Sequence, residues 1–157
     1  TDFYHLDVPA LLGELCHRYG VDTARLRVEI TETALFDDVE KQSRIVETLH
    51  QAGFKVEIDD FGKGYSSLSL LKDIHADVLK IDMGFIRGKS NLRRSRIILE
   101  SVIEMARNLN MAVITEGVET EKQVQHLQQL GCNNFQGFYF ARPMPVADFE
   151  TKYFGKS

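Results

Sequence analysis

Short runs in which apolar and polar positions alternate are separated along the chain by longer stretches with helical spacing. The short runs predict strands at Leu26–Ile30, Phe54–Ile58, Val78–Ile81, Met111–Thr115 and about Asn134–Gln136. The longer stretches predict helices at Val8–Arg18, Val39–Gln51, Ser67–Asp73, Arg93–Asn108 and Glu121–Leu130, with a last short one over Val146–Tyr153. Several boundaries have a chemical reason. Gly53 in "HQAGF" and Gly131 in "QLGCN" stand where a helix must end, because glycine accepts the left-handed cap conformation. Thr120 is placed to cap the helix that begins at Glu121. Strand–helix repetition predicts a parallel sheet with helices outside, either a barrel or an open doubly wound sheet.

Side chains alternate between the two faces of a strand. In "LRVEI", Leu26, Val28 and Ile30 share one face, and Arg27 and Glu29 the other. In "FKVEID", Val56 and Ile58 oppose Glu57 and Asp59; in "VLKI", Leu79 and Ile81 oppose Lys80. Ile114 and Glu116 share a face, and Gln136 opposes Phe135. Each strand therefore has an aliphatic face suited to outer helices. The opposite face carries Glu29, Asp59, Lys80, Glu116 and Gln136, each at or near a C-terminal end. Parallel strands bring those ends to one rim, where barrels place their active sites. Arg27 and Glu57 fall two residues earlier on the same faces and are expected to pair beneath that site.

Carboxylates gathered on a rim need neutralising. Two of them 4 Å apart repel by about 4 kcal/mol at an effective dielectric near 20. Lys80 supplies one positive charge. Hard oxygen donors suit Mg²⁺ or Mn²⁺. The adjacent Asp59 and Asp60 in "VEIDDFGKGYSSLSLL" suit a bridge between two ions, Asp59 from the strand end and Asp60 from the loop. Paired ions stabilise the attacking and leaving oxygens of a phosphoryl displacement, and a lysine can orient the attacking water.

The 157 residues are 43% hydrophobic and 27% charged, enough for one sizeable core. No apolar run reaches the length of about 18–20 residues that spans a bilayer. No basic start precedes an apolar signal segment. Cys16 and Cys132 are far apart and outside any C-x-x-C pattern, so they read as free cytosolic thiols. The net charge of −4 gives no basic field for DNA or RNA. Arg93, Arg94 and Arg96 form one basic cluster, read as a solvated helix start.

"VEITET", "IDDFGKGYSSLSLL", "VLKID", "VITEGVET" and "NFQGFYFARPMP" resemble, in order and spacing, the successive signatures of the EAL-domain family. The resemblance runs from about Phe3 to Phe149. It implies a TIM-type (β/α) barrel and a phosphodiesterase that linearises cyclic di-GMP to pGpG with Mg²⁺ or Mn²⁺ in a two-metal site. By resemblance, Glu29 and Asp59 are first-metal ligands, and Asp59, Asp60 and Glu116 second-metal ligands. Lys80 resembles the lysine that positions the nucleophilic water, and Glu119 and Gln136 polar groups near the metals. Glu32 is similar to the glutamate that anchors the "DDFG" loop, whose turn Gly62 and Gly64 permit and in which Ser66 and Ser67 are partners. Pro143 lies where the family lines its guanine pocket. The helix after this loop is expected at a homodimer surface.

The chain departs from the family in three respects. The Glu-Ala-Leu tripeptide that names the family does not occur in these residues, and a later family asparagine ligand would precede Thr1. About five strand–helix units are present, where a complete barrel has eight and about 250 residues. The expectation is therefore the C-terminal two-thirds of a domain, an incomplete barrel with impaired catalysis. Its open edges favour dimerisation or leave it marginally stable. Lys63 stands where the family usually has a small residue. Upstream sensory or GGDEF domains are implied, in a cytoplasmic or membrane-anchored parent. Two other functions compete: a catalytically silent cyclic di-GMP sensor, and an enolase-like barrel that abstracts protons with Mg²⁺ and a lysine.

Overall fold

The computed structural model describes residues 7–36, 38–62, 68–85 and 92–155. Five parallel strands form one sheet in sequential order: β1 (Arg27–Thr31), β2 (Lys55–Phe61), β3 (Val78–Asp82), β4 (Ala112–Glu116) and β5 (Asn134–Phe135). The chain returns to each next strand through helices. A short α2 (Glu32–Phe36) and α3 (Val39–Gln51) join β1 to β2. The connections that follow are α4 (Leu68–Asp73), α5 (Leu92–Asn108) and α6 (Glu121–Gln129). Helix α1 (Val8–Tyr19) precedes the sheet and α7 (Val146–Phe154) follows it.

The core lies between the aliphatic face of the sheet and these helices. Val56, Ile58, Leu79 and Ile81 are fully buried with Val46, Leu49, Leu99, Ile103 and Leu127 from the helices. The boundaries follow the capping chemistry. Gly53 and Gly131 take positive φ just past α3 and α6. Thr120 and Gln123 form a reciprocal capping box at the start of α6. The sheet does not close among the described residues, so β1 and β5 are edges of an incomplete barrel. Predicted and observed elements agree to within three residues at their ends, and the helix Val39–Gln51 coincides. The short helix α2 and the 3₁₀ turns Thr23–Arg25 and Met83–Phe85 were not expected from the sequence. They are too short to show a period.

Candidate metal centre

Strand register sets the site. β1 pairs Glu29 with Glu57 and Thr31 with Asp59, and β3 pairs Lys80 with Ile114 and Asp82 with Glu116. Side-by-side residues in a parallel ladder share a face, so Glu29, Asp59, Lys80 and Glu116 project from one side of the sheet. Lys80 is their centre. Its Nζ lies 2.7 Å from Glu29 Oε1, 2.8 Å from Glu116 Oε1 and 3.2 Å from Asp59 Oδ1. The side chain is only 4% exposed.

Asp60 reaches the same place by another route. Consecutive strand residues ordinarily face opposite ways, and simple alternation would send Asp60 away from Asp59. The β2–β3 register shifts between Ile58 and Phe61, and Asp60 takes φ 58°, a left-handed conformation that aspartate tolerates. The bulge turns the second carboxylate toward the first. Asp60 N–H donates to Asp59 Oδ1 at 2.9 Å. Oxygens of Asp59, Asp60 and Glu116 all lie within 4.8 Å of one another. Asp60 thus belongs to the strand and not to the loop after it.

One hydrogen bond holds the bulge in place. Gly62 continues the turn at φ 96°, and its N–H donates to the buried Glu32 Oε2 at 3.2 Å. Glu32 opens α2 directly after β1, so this bond ties the exits of β1 and β2 together. Gly64, Ser66, Ser67 and Lys63 lie outside the described residues.

Gln136 and Glu119 occupy the β4–β5 side of the rim. Gln136 N–H donates to Thr115 O at 2.9 Å, and Val118 N–H to Gln136 O at 3.1 Å. A side chain at Gly137 would run into the backbone of Val118, so the two strand exits can meet only over a glycine. Glu119 is exposed, three residues beyond Glu116, and its N–H donates to Gln123 Oε1 at 2.8 Å. Pro143 is exposed on the segment that leads to α7.

Charge is unbalanced here. Among the described residues, Glu29, Asp59 and Glu116 meet the Lys80 ammonium, and Asp60 joins two of them. At separations near 5 Å each carboxylate pair repels by roughly 3 kcal/mol at an effective dielectric of 20. Burial alone would lower the Lys80 pKa, but hydrogen bonds to Glu116, Glu29 and Asp59 outweigh it and hold the ammonium above the usual lysine range. Glu116 shifts upward because burial and the charges of Asp59 and Glu29 outweigh the pull of Lys80. A surplus of oxygen donors around one cation fits a hard divalent ion, with Asp59, Asp60 and Glu116 close enough to share it.

Asp82, which the sequence analysis does not name, shares the face of Lys80 two residues on and lies beside Glu116 in register. Its side chain accepts from Gly84 N–H and starts the turn out of β3. The expected Arg27–Glu57 pair forms, with Arg27 Nη1 2.7 Å from Glu57 Oε1. The Glu57 side chain is 4% exposed, whereas that of Arg27, on the edge strand, is 56% exposed. Cys16 and Cys132 are both buried free thiols.

The family model described as EAL domain matches residues 1–143. The bifunctional diguanylate cyclase/cyclic di-GMP phosphodiesterase MucR of Pseudomonas aeruginosa is 41% identical over 129 residues, covering 82% of this chain and 19% of that protein. The chain spans about a fifth of the length of the curated relatives it matches. A solved MucR phosphodiesterase in complex with c-di-GMP superposes with a TM-score of 0.85 at 37% identity, over 94% of this chain and 60% of that one. Klebsiella pneumoniae BlrP1 with manganese and the cyclic dinucleotide superposes with a TM-score of 0.82 at 34% identity, over 90% of this chain and 36% of that one.

Proposed function

The chain belongs to the EAL-domain family, and from that premise we propose that it carries the metal and lysine half of a cyclic di-GMP phosphodiesterase site, which yields linear pGpG. The observation that supports this most is the Lys80 cluster with its surplus of carboxylates. Solved relatives that carry c-di-GMP, one of them with manganese, support the substrate and ion class. Glu29, Asp59, Asp60 and Glu116 would hold Mg²⁺ or Mn²⁺. When bound, such ions supply Lewis-acid polarisation of the phosphodiester and a lowered pKa for water.

The chain's own groups do the rest. Lys80 is held protonated by the carboxylates around it, so it serves as a hydrogen-bond donor and not as a general base. Its Nζ is placed to orient the attacking water and to offset charge gathering on the phosphate oxygens. Glu119 and Gln136 provide polar groups on the β4–β5 side of the rim, and Pro143 lines the guanine pocket. Glu32, through Gly62, holds the bulge that aims Asp60. The five described strands form an incomplete barrel that carries the Lys80 cluster on one rim. In the whole protein it acts beside sensory or GGDEF domains.

A second copy of the chain pairs on the α4–α5 side. Phe61, Leu68, Ile97, Ile98, Val102 and Met105 line an apolar groove of about 430 Å³, with Leu68 60% and Ile97 52% exposed. Phe61 follows Asp60 directly, which connects this face to the bulge. A monomer in light scattering at micromolar concentration would exclude this pairing.

The test of activity is chromatography of cyclic di-GMP incubated with the protein and Mn²⁺. Linear dinucleotide supports the enzyme. Substrate that binds but stays intact, even with the upstream segment present, favours a sensor instead.

A further inference from the structure

The register of β1 on β2 sets Glu29 beside Glu57 on adjacent strands, which lie about 4.7–4.9 Å apart. Two carboxylates so placed repel, yet each has its own cation. Glu57 takes Arg27 at 2.7 Å, and Glu29 takes Lys80 at 2.7 Å. Arg27 stands two residues before Glu29 on the same face of β1. Its guanidinium therefore has two carboxylates to choose from, and it is on the buried one. Glu57, 4% exposed, needs a cation because a lone buried charge is costly, and the half-exposed Arg27 is the group that meets it.

We propose that the Arg27–Glu57 pair is a positioning device for Glu29. Glu57 holds the guanidinium away from Glu29, and its own charge pushes the Glu29 carboxylate toward Lys80 and the centre of the cluster. Half of the Glu29 side chain is exposed, so it has room to turn elsewhere without this constraint. The inference rests on Glu29 serving the divalent-ion site proposed above.

Mn²⁺ affinity of the metal-free protein, measured by calorimetry beside thermal unfolding, tests it. Glu57→Gln is expected to weaken Mn²⁺ binding by about 10–100-fold, the usual cost of losing a group that orients a ligand. The exchange Arg27→Glu with Glu57→Arg re-forms the ion pair and restores the melting temperature. It also sets a guanidinium beside Glu29, so Mn²⁺ binding stays as weak as in Glu57→Gln. In a Glu29→Gln background the Glu57→Gln effect disappears, since it acts through Glu29. Recovery of full affinity in the exchanged protein overturns the inference, as does a Glu57→Gln effect that persists without Glu29. Mn²⁺ that does not bind the unaltered protein overturns the divalent-ion reading itself, and the inference with it.

Discussion

The two ends of β3 each organise a charged cluster, and they differ in how charge is matched. Asp77 stands just before the strand and gathers donors. Lys55 Nζ lies 2.6 Å from Oδ1, and Oδ2 meets His50 Nε2 and Val56 N–H at 2.9 Å each. Its backbone bonds Val56 O and Ala112 N–H, so one residue links α3, β2, β3 and β4. At the other end Lys80 gathers acceptors, and those carboxylates outnumber it. The first cluster is complete with protein groups alone. The second, among the described residues, keeps more carboxylates than cations, which suits an added cation. Barrels show the same division, with stability at the N-terminal face and chemistry at the C-terminal face. The balance of charge within a cluster, more than its presence, separates a clamp from a site.

The comparison breaks most visibly under substitution. In the whole protein, Asp59→Asn is expected to lower the proposed cyclic di-GMP hydrolysis by at least about 100-fold while leaving the melting temperature unchanged or higher, because repulsion falls. Asp77→Ala should do the reverse. It leaves the Val56 N–H without its acceptor, costs about 1–3 kcal/mol and leaves kcat unchanged. Steady-state kinetics and denaturant titration of both variants check the pair; an Asp77→Ala enzyme with normal stability would undo the contrast.

Mn²⁺ sharpens it next. At a hundredfold excess over its Kd the ion should stabilise the protein by about 2.7 kcal/mol. That gain persists in Asp77→Ala, vanishes in Asp59→Asn and is reversed by a chelator in a thermal melt. Asp60→Gly isolates the bulge. Glycine suits φ 58°, so unfolding free energy should stay within about 1 kcal/mol while the Mn²⁺-induced rise is lost. A rise that survives in Asp60→Gly would remove Asp60 from the site.

The smallest effect is on pH. Burial would raise the Asp77 pKa, but Lys55, the Val56 amide and His50 outweigh it and hold it below the usual aspartate range. The folded pKa is depressed, so its stabilisation is present above the unfolded value of about 4 and is lost as pH falls through the folded value. Glu116 in the metal-free protein has the opposite sign. Its folded pKa is raised, so its ionised form is a cost above that value that disappears on acidification. Unfolding titrations between pH 3 and 6 should show a steeper acid loss for Glu116→Gln and a shallower one for Asp77→Asn, relative to the unaltered protein.

Much of this was legible in the sequence. The sheet could be read because glycines and a capping threonine mark helix ends, and because Val56, Ile58, Leu79 and Ile81 alternate with charged residues. The same alternation put Glu29, Asp59, Lys80 and Glu116 on one rim. Asp60 is where that rule stops. A bulge reverses the face of one residue, and nothing in "IDDFG" states its φ. Asp77 was illegible for a different reason. It lies outside the strand's period, and its partners His50, Lys55 and Val56 come from an earlier unit, which only the register brings near.

Whether the Lys80 cluster holds a cation is read from anomalous diffraction at the manganese edge, from crystals of the protein soaked in Mn²⁺. A peak is expected within coordination distance of the Asp59, Asp60 and Glu116 carboxylates, beside Lys80. A well-ordered site without such a peak, its carboxylates neutralised by protein groups or protons alone, would contradict the divalent-ion reading.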